Sequence, residues 1–233
     1  MKNEFKDGII SSIPIVLGYF FVSIGVGVYA NNSSISALEA FVMSITNLTS
    51  AGEINAITIF GQNGTYFELF LSQILINSRY ALMGISLSQK NFEKNFKTKS
   101  RLFLSFGITD EIFAVLINKK DNIGLKFSLP LVILPIIAWG TGTYIGAKLG
   151  SIIPNDISQC LNILIYAMLI AIIVPEGKKN KCILFTILCA VFFNVVFYYC
   201  FKRVSIGYSI IISSVISAVI SAIIFPKSLE VKK

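Results

Sequence analysis

The sequence predicts an all-α polytopic membrane protein with about six full transmembrane helices and two broken or re-entrant segments. Three observations predict it. Mean hydropathy is +0.75, with 55% apolar residues. Only 14% of residues are charged, against roughly 25% in soluble domains. The 20 Lys and Arg and 12 Asp and Glu are clustered, leaving uncharged runs close to or above the roughly 20 residues that a bilayer core requires.

Five such runs, at residues 8–38, 127–147, 157–175, 182–201 and 204–226, read as full spans. Before the first of them, Lys2, Glu4, Lys6 and Asp7 precede an apolar run longer than a signal-peptide core and without a small-residue cleavage site, so the N-terminus reads as retained. Three further regions carry charges or breakers. Residues 36–60 contain Glu39 and Glu53 and break near Ser50-Ala51-Gly52, residues 66–87 contain Glu68 and Arg79, and residues 102–117 hold Asp110 and Glu111 at their middle.

Basic loops stay in the cytoplasm, which orders these segments. Lys90, Lys94, Lys97, Lys99 and Arg101 stand against one acid, Glu93, so the segment 90–101 reads as cytoplasmic. The uncharged turn Asn31-Asn32-Ser33-Ser34 reads as external. Parity then holds if 36–60 dips in and returns, 66–87 crosses inward as the sixth span, and 102–117 also turns back, keeping Lys119, Lys120 and Lys126 inside. The loop around Pro154 and Asp156 is external, Lys178, Lys179 and Lys181 are cytoplasmic, and the last two spans form a hairpin around Lys202-Arg203. Both termini read as cytoplasmic, and residues 1–233 read as a single integral membrane domain.

Composition excludes several function classes. The net charge of +8 reads as topology rather than as nucleic-acid binding. With no His, the chain is not a His-dependent protease, a His-ligated metalloprotease or a haem carrier. Cys160, Cys182, Cys189 and Cys200 lie in apolar runs without a C-x-x-C pair and read as packing residues, so neither a metal nor another cofactor is expected. An intramembrane enzyme would have only Asp110-Glu111 to work with, so the chain reads as a non-enzyme.

Ionisable groups at membrane depth cost about 2.5–3.5 kcal/mol each on insertion scales, so each needs a partner or a purpose. In TSAGEINA, the glycine with Thr49, Ser50, Glu53 and Asn55 suits an unwound segment lining a cavity, the alternative being an ordinary surface loop over 50–63 with Glu53 in water. Arg79, following Asn77 in INSRYALMGISL, either snorkels to the basic loop or turns inward to a carboxylate. Asp110 and Glu111 in ITDEIFAV either cap a helix N-terminus with Thr109 or point to different partners. In WGTGTYIGAKLG, Gly142, Gly146 and Gly150 recur at four-residue spacing and form a smooth helix-packing face. Discontinuous helices meeting near the midplane are how many secondary transporters build substrate sites.

Taken in order, a first span opening at Pro14 and continuing into GYFFVSIGVGV, then SAGEINA, INSRYALMGISL, ITDEIFAV and WGTGTYIGAKLG resemble the AzlC family of branched-chain amino acid permeases, the large subunits of bacterial exporters. The likeness covers most of the chain. The family shows a Gly-small-small-Gln string at the break, an Asn-x-Arg-His string and a Thr-Asp-Glu string. Here Asn55 stands at the Gln position, Glu53 is added and Tyr80 stands at the His position. The resemblance implies export of valine, leucine, isoleucine or analogues across the bacterial cytoplasmic membrane with a small AzlD-type membrane subunit. For such a zwitterion, Arg79 with Asn77 is expected to take the carboxylate, Asn55 and Glu53 the ammonium, and Asp110 or Glu111 the coupling proton if export is proton-driven. A lipid flippase or pore-type subunit is the alternative.

Overall fold

The computed structural model describes residues 4–93, 96–150, 180–201 and 204–225 together with isolated positions between 152 and 178. The expected loop around Pro154 and Asp156, most of the span at 157–175, the Lys202-Arg203 turn and the tail after Phe225 lie outside the described residues. Regular structure is helical: α1 (Glu4–Asn32), α2 (Ala37–Asn47), α3 (Ser50–Gly61), α4 (Tyr66–Ser88), α5 (Thr98–Phe106), α6 (Asp110–Asn118), α7 (Leu125–Leu149), α8 (Lys181–Cys200) and α9 (Ile206–Ile224). Among the described residues the only β pairing is an isolated bridge between Phe92 and Ile123. The protein is an all-α membrane protein, and α1, α7, α8 and the stretch Gly207–Ile224 of α9 are long and apolar enough to cross a bilayer. With 23 residues α4 has comparable length, but Glu68, Gln73, Asn77 and Arg79 interrupt its apolar surface.

Both segments expected to be broken are broken. Between α2 and α3, Leu48 takes a left-handed conformation, φ 52°, and its N–H bonds the Ser44 carbonyl. The helix restarts at once, with the Glu53 N–H donating to the Thr49 carbonyl at 2.7 Å. The break therefore lies just ahead of Gly52, which is itself helical. The sequence places the break near Ser50-Ala51-Gly52, whereas the turn is made by Leu48, an L-residue in the left-handed region that glycine usually fills. Between α5 and α6, Gly107 ends one helix with its N–H on the carbonyls of Phe103 and Leu104, and Thr109 caps the next by accepting from the Ile112 N–H. Ser36 and Glu39 close a capping box that starts α2.

The chain divides into two compact units, Met1–Thr58 with Ile76–Ile165, and Ile59–Leu75 with Tyr166–Lys233. In the first unit, α1 packs along α7. A Cβ placed on Gly142 would meet the Phe20 carbonyl oxygen at 2.6 Å, and one on Gly146 or Gly27 would collide with the backbone of the facing helix. Gly150 faces Asn31 of α1 in the same way. Beside this seam, Ile15, Leu104, Ile112, Leu116, Leu131 and Val132 form a buried apolar core. In the second unit, α8 and α9 pack together, with Thr186 donating to Ser221 at 2.6 Å. Glu68, buried in the first turn of α4, accepts from the hydroxyl of Ser205, the N-cap of α9.

Candidate functional site

The polar groups of the first unit gather where the two helix breaks meet α4, α1 and α7. Each broken end supplies a side chain to this cluster. From the first break, Thr49 donates to Asn77 Oδ1 of α4 at 2.9 Å and shares a hydrogen bond with Tyr80. From the second break, Asp110 accepts a 2.7 Å ion pair from Arg79 Nη1. The Arg79 Nη2 group donates to the Tyr80 hydroxyl at 3.2 Å, with the guanidinium 5.0 Å from the Tyr80 ring centroid. The middle of α4 thus joins both breaks through three residues, Asn77, Arg79 and Tyr80.

Asp110 and Glu111 point to different partners, as adjacent residues on a helix must. Asp110 turns to Arg79, while Glu111 Oε2 accepts from the Tyr19 hydroxyl of α1 at 2.5 Å. The same hydroxyl lies 2.7 Å from Thr109 Oγ1. Both carboxylates sit in the first turn of α6, where the helix dipole favours negative charge. One donor stays unused: Arg79 Nε is buried and has no hydrogen-bond partner among the described residues.

A second group lies deeper. Glu53 is fully buried, which removes the reading of its segment as a loop in water. Its Oε1 is in hydrogen-bond contact with the Ser44 hydroxyl and its Oε2 accepts from Trp139 Nε1 at 2.7 Å. Ser44 Oγ is 2.8 Å from Thr143 Oγ1, whose hydroxyl lies 3.0 Å from the Trp139 carbonyl oxygen. The Trp139 ring meets the Tyr19 ring edge-on at 5.2 Å. Through these two rings the Glu53 group adjoins the Glu111 group.

The residues assigned to the site from sequence fall into three places. Arg79 and Asp110 pair beside α4, with Glu111 next to Asp110 and bonded to Tyr19, while Asn77 bonds Thr49 of the first break. Glu53 lies in the Trp139 group with both oxygens already bonded, and Asn55 is buried on α3. Gly142, Gly146 and Gly150 line the α1–α7 seam. Tyr19, Ser44, Trp139 and Thr143 were not singled out, although each bonds or flanks a residue that was. Their signal was weak because aromatic and hydroxyl side chains are common in apolar spans. Trp139 alone carried a mark, as the single tryptophan of the chain.

Comparison with known proteins gives a consistent result. The family model described as AzlC protein matches residues 14–153, a stretch that contains every residue of both polar groups. An uncharacterized membrane protein of Archaeoglobus fulgidus is 30% identical over 176 residues, covering 75% of this chain and 76% of that protein. The branched-chain amino acid transport protein AzlC of Bacillus subtilis is 27% identical over 183 residues, 76% of this chain and 69% of its own length. An uncharacterized membrane protein of Helicobacter pylori is 26% identical over 183 residues, 76% of this chain and 78% of that one. No solved structure gives a significant match.

Proposed function

The chain belongs to the AzlC family, and from that premise we propose that it is a proton-coupled secondary transporter, not an enzyme, exporting branched-chain or other hydrophobic amino acids across the cytoplasmic membrane. A small AzlD-type membrane subunit completes it. A role in membrane transport follows from the family itself and from the relative in Bacillus subtilis.

The observation that carries the finer reading is the Arg79 guanidinium, which spends Nη1 on Asp110 and keeps a buried Nε donor unmade. A buried donor without a partner costs roughly 1–3 kcal/mol, so an anion that satisfies it is favoured there. A planar fork of donors suits a carboxylate. Asn77 adds an amide one face over on α4, where its oxygen accepts from Thr49 of the first break.

Charge balance supplies the coupling. In the resting site Arg79 is neutralised by Asp110. For export driven by an inward proton gradient, proton and substrate must alternate, so Asp110 or Glu111 takes a proton at the outer side once the substrate has left and releases it to the cytoplasm before the next substrate enters. The substrate ammonium then falls to oxygens near the first break, Asn55 and Glu53 among them, with Glu53 available only when its bonds to Ser44 and Trp139 open.

Deleting the gene, alone or with that of its small partner, tests the reading. Cells lacking it should retain valine or leucine and become sensitive to toxic leucine analogues. Unchanged amino acid efflux together with altered lipid asymmetry would replace this account with a flippase.

A further inference from the structure

Three oxygen-to-oxygen contacts run in series from the α3 carboxylate: Glu53 to Ser44, Ser44 to Thr143 at 2.8 Å, and Thr143 to the Trp139 carbonyl at 3.0 Å. Each needs one hydrogen. Ser44 and Thr143 bring one hydroxyl hydrogen apiece, and the carbonyl brings none. With Glu53 ionised, two hydrogens serve three contacts, and one pair of oxygens faces each other bare. A third hydrogen on Glu53 fills the series: the acid donates to Ser44, Ser44 to Thr143, and Thr143 to the Trp139 carbonyl. The Trp139 Nε1–H, donating to the other Glu53 oxygen at 2.7 Å, closes the ring.

The surroundings agree with this count. The groups bonded to Glu53 are Ser44 from α2 and Trp139 from α7, both neutral, and Glu53 is fully buried. Behind Trp139 stands Tyr19 of α1, whose hydroxyl is turned to Glu111 and Thr109. Among the described residues no Lys or Arg forms an ion pair with Glu53; Arg79 is engaged by Asp110. A fully enclosed carboxylate held only by neutral donors has nothing to balance its charge.

We propose that Glu53 is a proton-binding site whose proton closes a four-bond ring latching the broken hairpin α2–α3 to α7. Loss of that proton breaks the series at one hydroxyl contact and loosens the latch, which would also free Glu53 oxygens toward the substrate region. Use of the latch in transport rests on the function proposed above, whereas its protonation does not. The two readings therefore fail separately.

The chain's single tryptophan is itself a ring member, so its emission reports the latch directly. Infrared spectra of the purified full-length protein in lipid nanodiscs at neutral pH should show a protonated-carboxyl C=O band that Glu53→Gln removes. Because the glutamine amide donates where the acid proton did, Glu53→Gln should leave the Trp139 emission maximum unchanged. Raising the pH until the band disappears should shift that maximum in the native protein and not in the variant. Ser44→Ala keeps the acid and removes its acceptor, so the same band should move to higher frequency even if the glutamine variant folds poorly. A spectrum unaltered by both substitutions, or an emission maximum that shifts in Glu53→Gln at neutral pH, overturns the proposal.

Discussion

Arg79 and Asp110 already form, inside the protein, the arrangement that an amino acid zwitterion would make with it: one guanidinium, one carboxylate, 2.7 Å apart. Replacing Asp110 by Asn keeps size and polarity but removes the site that can take a proton, and Glu111→Gln does the same on the Tyr19 side. The expected result is that these variants lose gradient-driven efflux yet retain exchange of internal for external leucine, measured side by side in proteoliposomes. Full gradient-driven efflux in both would leave the pair as capping and packing groups of α6. Tyr19→Phe removes the hydroxyl that bonds Glu111. Leaving that carboxylate short of a partner should cost about 1–3 kcal/mol, seen as a lower denaturation midpoint.

At the scale of elements, the α1–α7 seam makes a sharp distinction among glycines. Gly146 lies against the Ile24 backbone, whereas Gly84 of α4 has open space around its Cα. Gly146→Val should therefore destabilise by at least the ~1–3 kcal/mol of an overpacked core. Gly84→Ala should be neutral or stabilise by about 0.5–1 kcal/mol through helix propensity. Thermal unfolding of the two variants in detergent checks both. This seam was legible as a four-residue glycine repeat, and so were both helix breaks, because charge in the middle of an apolar run marks a segment that does not cross uniformly. The location of the first break was less legible. A leucine at φ 52° leaves no compositional trace, and the glycine that suggested the break sits inside α3. The partners Tyr19 and Trp139 were hidden for a related reason. In a lipid-facing sequence an aromatic ring looks the same whether it packs against a chain of lipid or donates a hydrogen bond to a carboxylate 86 positions away.

For the whole molecule, the six-span reading with 90–101 and both termini in the cytoplasm is open to labelling. A cysteine substituted for Lys97 in a cysteine-free background should react with an impermeant reagent only after cells are opened. Labelling in intact cells would remove the reading in which 36–60 and 102–117 turn back. The central claim, that Arg79 receives the carboxylate of a hydrophobic amino acid, is tested most directly by leucine efflux from cells expressing the small partner together with either the native chain or Arg79→Lys. Lysine keeps the charge and loses the planar fork, so efflux should fall roughly tenfold or more, the equivalent of about 1.4 kcal/mol of lost stabilisation, with the protein still inserted at native levels. Native efflux rates in Arg79→Lys at equal expression would contradict the account.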